Sequence, residues 1–95
     1  MNKQDGKEEE FVVKACKALA DKQRLRIFKL VADRGSIMCN EAVEATGLSQ
    51  PTVSHHVKQL VEAELLQADK DGRCNRLSVQ SDTVKQFLGV LLRLS

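Results

Sequence analysis

The chain contains no tryptophan or tyrosine and only three phenylalanines among its 95 residues, so we expect an aliphatic core. No run approaches the roughly 20 apolar residues that cross a bilayer. The first ten residues are polar and lack the apolar stretch of a signal peptide. We therefore expect a cytoplasmic protein that makes no contact with a membrane.

Cysteine and net charge are also sparse. The three cysteines, Cys16, Cys39 and Cys74, are odd in number and widely spaced, so we do not expect a disulfide framework. The formal net charge of +2 permits nucleic-acid binding but does not indicate it. Glycine-rich phosphate loops, paired buried carboxylates and a Ser-His-Asp pattern are all missing. We therefore expect no enzymatic activity and no cofactor.

Apolar residues recur at helical spacing along most of the chain. Its length suits one small domain, which we expect over 8–95, after a disordered polar tail over 1–7. The first helix is predicted to begin at Glu8. Apolar residues between Val12 and Leu19 then follow at i, i+3, i+4 and i+7, which is the pattern of an amphipathic helix.

Capping residues predict three further helices, over 22–32, 38–46 and 50–63. Asp21 and Ser49 are suitable N-caps for the first and third of these. Gly47 is expected to end the second, and Pro51 is tolerated in the first turn of the third. In the helix over 22–32, the residues expected to face inward are Leu25, Phe28 and either Ile27 or Val31.

The apolar period changes from 3.6 to 2 after the fourth helix. Short strands are predicted over 66–69 and 74–79, and the Asp71-Gly72 pair between them is a strong hairpin signal. Ser81 or Asp82 is expected to cap a last helix. The apolar face of that helix is formed by Val84, Phe87, Leu88, Leu91 and Leu92. The predicted order is ααααββα, mainly α with a β-hairpin.

A helix, a glycine-containing turn, a second helix and a hairpin are typical of a winged helix-turn-helix. Valines and leucines cluster on one side of the fourth helix. The opposite side carries Pro51, Thr52, His55, Lys58 and Gln59. No carboxylate precedes Glu62, so this face can reach base edges and phosphates in a major groove. An ordinary solvated helix face would have a similar composition.

The hairpin carries Lys70, Arg73 and Arg76. These cations suit a wing that lies along the DNA backbone, although a hairpin kept soluble by charge would also contain them.

Three segments resemble the arsenic-repressor (ArsR/SmtB) family of bacterial winged-helix repressors: LADKQRLRIFKLV, GLSQPTVSHHVKQLVEAELL and DGRCNRLSV. The resemblance covers roughly 16–80 and is most specific over 19–27 and 47–56. It implies a transcriptional repressor that binds double-stranded DNA as a homodimer through its first and last helices. The alternative is that these two helices pack only on their own core.

The resemblance also implies individual DNA contacts. Those from the recognition helix are Ser49, Gln50, Thr52, Ser54 and His55, and those from the wing are Arg73 and Arg76. Lys58 is also predicted to contact DNA, at a phosphate, because it lies on the polar side of the fourth helix.

Many members of this family release DNA when a metal or metalloid binds, and the sequence departs from both common sites. Met38 and Asn40 occupy the two positions of the third-helix Cys-x-Cys site. Cys39 lies between them, where the family usually has an inward valine, so we expect it in the core. On the last helix, Asp82 is near the place of an acidic ligand, but Val84 occupies the adjacent position and no histidine follows. We therefore expect neither metal site.

The remaining candidates for sensing are thiols and histidines. His55 and His56 point about 100° apart on a helix, and we interpret both as DNA-facing or flanking residues. Cys16 is expected in the core or a dimer interface, and Cys74 is expected to be the most exposed thiol. A redox or metalloid response through Cys16, Cys39 or Cys74 stays open, as does a repressor without an inducer.

A winged-helix protein–protein interaction module without DNA binding is the alternative from another functional class. Acidic or apolar residues on the outer face of the fourth helix would indicate it. Thr52, His55 and Lys58 are neither.

Overall fold

The computed structural model describes residues 3–72 and 74–95. Within them the elements are α1 (Lys3–Leu19), α2 (Lys22–Arg34), β1 (Ser36–Met38), α3 (Cys39–Thr46), α4 (Gln50–Glu62), β2 (Leu66–Asp71), β3 (Cys74–Val79) and α5 (Ser81–Leu94). The five helices and the β2–β3 hairpin confirm the predicted winged helix-turn-helix. Among the described helices, none combines the length and the apolar character needed to span a bilayer.

Helix α1 begins five residues before its predicted start. The tail expected over 1–7 is therefore wrong for residues 3–7, which are helical. A single glycine, Gly6, costs an exposed helix only about 1 kcal/mol relative to alanine. An ion pair between Glu8 and Arg93 of α5 also anchors this part of α1 to the rest of the molecule.

The predicted caps of α2 and α4 are confirmed. The Asp21 carboxylate accepts the backbone N–H of Arg24 at 3.0 Å, and Ser49 Oγ accepts that of Thr52 at 3.3 Å. The predicted cap of α5 is wrong, because Gln80 is the N-cap residue and its side chain makes no capping bond. The Gln80 N–H donates to Leu65 O at 2.9 Å. This backbone bond fixes the chain between β3 and α5, and no side chain caps the helix there.

The sheet contains a third strand that the sequence analysis missed. Strand order is β1-β3-β2, all antiparallel, and Ile37 of β1 pairs with Leu77 of β3. A three-residue strand is too short to show an alternating pattern. Strand β1 forms because β2 pairs with only one edge of β3 and leaves the opposite edge of β3 open for pairing.

The core lies where α2, α4 and the sheet meet. Ile27 and Val31 are both fully buried, whereas Leu25 is 39% exposed, so the expectation that Leu25 faces inward is wrong. Leu25 lies two residues from Ile27, which places it about 200° away around the helix. The largest fully buried side chains are Ile27, Ile37, Leu60, Leu65, Leu66, Leu77, Val31 and Val53, which confirms an aliphatic core.

Candidate nucleic-acid interface

A short, fully bonded turn sets α4 against α3. Gly47 has a φ of 72°, in the left-handed region, and its N–H donates to Val43 O at 3.0 Å. Glycine adopts this conformation without steric cost. Thr46 Oγ1 donates to Ala42 O at 2.7 Å and accepts the Leu48 N–H at 3.3 Å. These bonds orient the start of α4 before any ligand is present.

Helix α4 has one buried and one exposed face. Val53, Val57 and Leu60 are buried against the core. The predicted contact residues at the start of α4 and along its outer face are all exposed: Ser49, Gln50, Thr52, Ser54, His55 and Lys58. They present hydroxyl, amide, imidazole and ammonium groups, and they carry no negative charge.

Two pairs of polar side chains on this face are already hydrogen-bonded to each other. Ser49 Oγ lies 2.8 Å from Thr52 Oγ1, and His55 Nε2 lies 2.9 Å from Gln59 Nε2. Because the Gln59 amide nitrogen can only donate, His55 Nε2 accepts and its ring is held by the neighbouring turn. Thr52 and His55 are therefore partly ordered by their own helix.

His56 is not part of this exposed face. It is only 9% exposed, so its interpretation as a DNA-facing or flanking residue is wrong. The 100° step from His55 places it on the inner face, three residues after Val53 and four before Leu60. Its Nδ1 lies 3.5 Å from a guanidinium nitrogen of Arg24 on α2.

The carboxyl of Asp21 belongs to the same region. The Arg24 backbone N–H lowers the pKa of Asp21, and the nearby charges of His56 and Arg24 lower it further. Partial removal from water acts in the opposite direction, but the hydrogen bond and the charges outweigh it. Asp21 is thereby held in its charged, capping form.

One of the wing cations is already paired within the protein. Arg76 on β3 donates to Asp71 Oδ2 at 3.1 and 3.2 Å, and to Ser36 Oγ at 3.3 Å. Its side chain is still 49% exposed, so it can reach a phosphate by exchanging partners. Arg73 lies outside the described residues. The wing contacts stay predictions.

The thiols lie on different elements. Cys16 on α1 is exposed, so the part of its prediction that placed it in the core is wrong. Cys39 is half-buried at the first residue of α3 and packs against the core, and Cys74 belongs to β3, with its side chain outside the described residues. Across the described part of the chain, no three histidine, cysteine or acidic side chains gather in a way that could hold a metal ion.

Comparison with known proteins places the chain in a family. A family model described as a helix-turn-helix domain matches residues 19–67. A helix-turn-helix transcriptional regulator of Methanocaldococcus jannaschii is 36% identical over 72 residues, 76% of this chain and 81% of the relative. The arsenical resistance operon repressor of Staphylococcus aureus is 43% identical over 56 residues, 59% of this chain. The chain belongs to the ArsR family of helix-turn-helix regulators.

Membership of the ArsR family agrees with the fold. The homodimeric winged helix-turn-helix DNA-binding domain of a Mycobacterium bovis protein, solved by NMR, superposes with a TM-score of 0.79 over 99% of this chain and 87% of that one, at 24% identity. The sequence match to the Staphylococcus aureus repressor spans 53% of the length of that repressor. ArsR-family proteins are transcriptional regulators, not enzymes.

Sequence reasoning missed the pairing of Arg24 with His56. Both residues lie in the two segments most typical of the family, the first in LADKQRLRI and the second in GLSQPTVSHH. The available signal was helical spacing, since His56 falls on the inner side of α4, but its partner on α2 cannot be deduced from one sequence.

Proposed function

We propose that the protein is a homodimeric repressor that binds an imperfect inverted-repeat operator and blocks transcription by occupying it. The exposed, acid-free outer face of α4, presented by a helix-turn-helix, carries this proposal. Such a face fits the major groove, where hydroxyl, amide and imidazole groups read base edges. An acidic or apolar face would have favoured a protein partner.

Helices α1 and α5 supply the dimer surface. They pack against each other through an edge-on contact between Phe11 and Phe87, with ring centroids 6.5 Å apart. Their outer sides leave large apolar side chains exposed: Val13, Leu88, Leu91, Leu92 and Leu94. A second copy would cover these residues, and the Mycobacterium bovis domain of the same fold is itself homodimeric.

A two-fold dimer determines the form of the operator. The two α4 helices would enter successive major grooves about 34–36 Å apart, so the half-sites should be related by inversion. Gln50, Thr52, Ser54 and His55 are the proposed base contacts. Ser49 and Lys58, with Arg73 and Arg76 of the wing, are the proposed backbone contacts, which position the protein but do not read sequence.

Selection from a library of randomised DNA duplexes tests this proposal without knowledge of the natural operator. We expect the full chain, at moderate salt, to enrich an imperfect inverted repeat with half-sites about one helical turn apart. Enrichment of a single unrepeated site would refute the dimeric geometry. Binding that ignored sequence, or no binding at all, would refute the repressor and favour the protein-interaction module.

A binding titration with the selected duplex tests whether the cysteines regulate DNA binding. The selected duplex is titrated with reduced protein, with oxidised protein and with protein to which a thiophilic metal has been added. Loss of binding under either of the last two conditions would assign a response to Cys16, Cys39 or Cys74. Equal binding under all three would indicate a repressor that does not respond through thiols.

A further inference from the structure

One side chain of α2 joins the carboxyl end of α1 to the recognition helix. Arg24 donates from Nη2 to Lys17 O at 3.2 Å, and from Nε to Ala18 O. These carbonyls lie in the last turn of α1, where no helical N–H follows four residues later; Lys17 O also accepts the Ala20 N–H at 3.3 Å. The planar guanidinium suits this position because it carries several donors in a fixed arrangement.

The third contact of Arg24 reaches α4. Its Nη1 lies 3.5 Å from His56 Nδ1. Because a guanidinium can only donate, Nδ1 is the acceptor in this contact.

The titratable and charged groups around this contact come from α1, α4 and the start of α2. Asp21, at the start of α2, accepts the Arg24 backbone N–H and supplies the nearby negative charge. His55 on α4 is the neighbouring imidazole, with ring centroids 5.9 Å apart. Lys17 on α1 is exposed. Arg24 is therefore held at the junction of α1, α2 and α4.

We propose that Arg24 and His56 are positioning residues that fix the orientation of α4 relative to α1. This inference rests on the proposed function, in which α1 contacts the second subunit and α4 enters the major groove. The angle between the two helices then sets the distance between the recognition helices of the dimer. That distance must match one turn of DNA for both half-sites to be read together.

Three variants separate positioning from simple stability. His56→Leu removes the acceptor and keeps an apolar side chain of moderate size. His56→Asn is the matched conservative variant, because its amide oxygen can take the place of Nδ1. Arg24→Lys keeps the positive charge but cannot reach three acceptors at once. Circular dichroism establishes that each variant is folded at the temperature of the binding assay.

Binding is measured for three duplexes of equal length: the selected inverted repeat, the same repeat with its half-sites one base pair further apart, and an unrelated sequence. We expect His56→Leu to bind the selected repeat about tenfold more weakly, similar to the loss of one base contact. Its affinity for the unrelated duplex should not change, and its preference for the correct spacing should decrease. His56→Asn should retain both properties, and His56→Leu should add little in an Arg24→Lys background.

Two results would overturn this inference alone. One is a lower thermal stability of His56→Leu with all three affinities unchanged, which would make the contact purely structural. The other is an equal loss of affinity for all three duplexes. Wild-type protein that bound the three duplexes alike would instead overturn the proposed function, and this inference with it.

Discussion

Replacing Leu92 by serine should weaken dimer formation while leaving the single subunit folded. Leu92 is 73% exposed, so it contributes little to the core of its own chain. Full burial of a leucine side chain is worth about 1.5–3 kcal/mol, and the part still exposed accounts for about 1–2 kcal/mol of that. A two-fold interface contains the residue twice. The expected loss is therefore about 2–4 kcal/mol, or roughly 30- to 1,000-fold in the dimer dissociation constant.

Sedimentation velocity over a range of protein concentrations measures this constant directly. Ala45→Ser is a suitable control, because Ala45 is exposed on α3, and α3 packs against α2 and α4. It should leave the dissociation constant unchanged. If Leu92→Ser dimerised as tightly as wild type, or if wild type were a monomer at high concentration, the assignment of the α1 and α5 surface would be refuted.

Five further substitutions test the recognition helix, the wing and the helix ends. Thr52→Ala or His55→Ala should weaken binding to the selected operator by about 1–3 kcal/mol, measured by fluorescence anisotropy. Arg76→Ala should instead weaken binding to all duplexes and reduce the salt dependence of binding. Unchanged affinities would refute the assignment of the outer face of α4 and of the wing to DNA contact. Glu64→Gly should stabilise the fold by about 0.5–1 kcal/mol in thermal unfolding, because Glu64 has a φ of 61° that glycine adopts more easily; an unchanged or lower melting temperature would contradict this. Hydrogen bonding and nearby positive charge lower the folded-state pKa of Asp21, so its charge stabilises the fold at neutral pH, and this contribution is lost as the pH falls through the lowered pKa. In urea unfolding, the stability deficit of Asp21→Asn relative to wild type should therefore be smaller at about pH 3 than at about pH 6, and a constant deficit would refute this.

The same structure explains the Glu64 prediction. The Leu65 N–H donates to Leu60 O at 3.0 Å, and the Glu64 N–H donates to Val61 O at 2.9 Å. These bonds form a Schellman ending of α4, whose left-handed position is usually glycine. Buried Leu60 and Leu65 stabilise the motif, so a glutamate is tolerated there.

Most helices and the hairpin could be predicted because their signals are local. Capping by Asp21 and Ser49, the left-handed turn at Gly47 and the Asp71-Gly72 hairpin turn each depend on a few adjacent residues. The exposed face of α4 followed from helical spacing alone, since 100° per residue separates its valines from His55 and Lys58.

The errors arose where a distant partner decided the outcome. Strand β1 forms because β3 offers it an edge, and Gln80 becomes the N-cap residue of α5 because its N–H is bound to Leu65 O. The helical stripe through Leu25 and Phe28 predicts Leu25 to face inward, but the packing of α2 against the core buries Ile27 and Val31 and leaves Leu25 exposed.

The sequence by itself determined the order of the helices, the hairpin and the polar surface of α4, because these depend on spacing, capping and turn chemistry within short segments. Only the tertiary structure decided that Arg24 links His56 to the end of α1 and that Arg76 is paired with Asp71. These contacts join residues on different elements. Their geometry depends on how helices and strands pack, which local patterns do not specify.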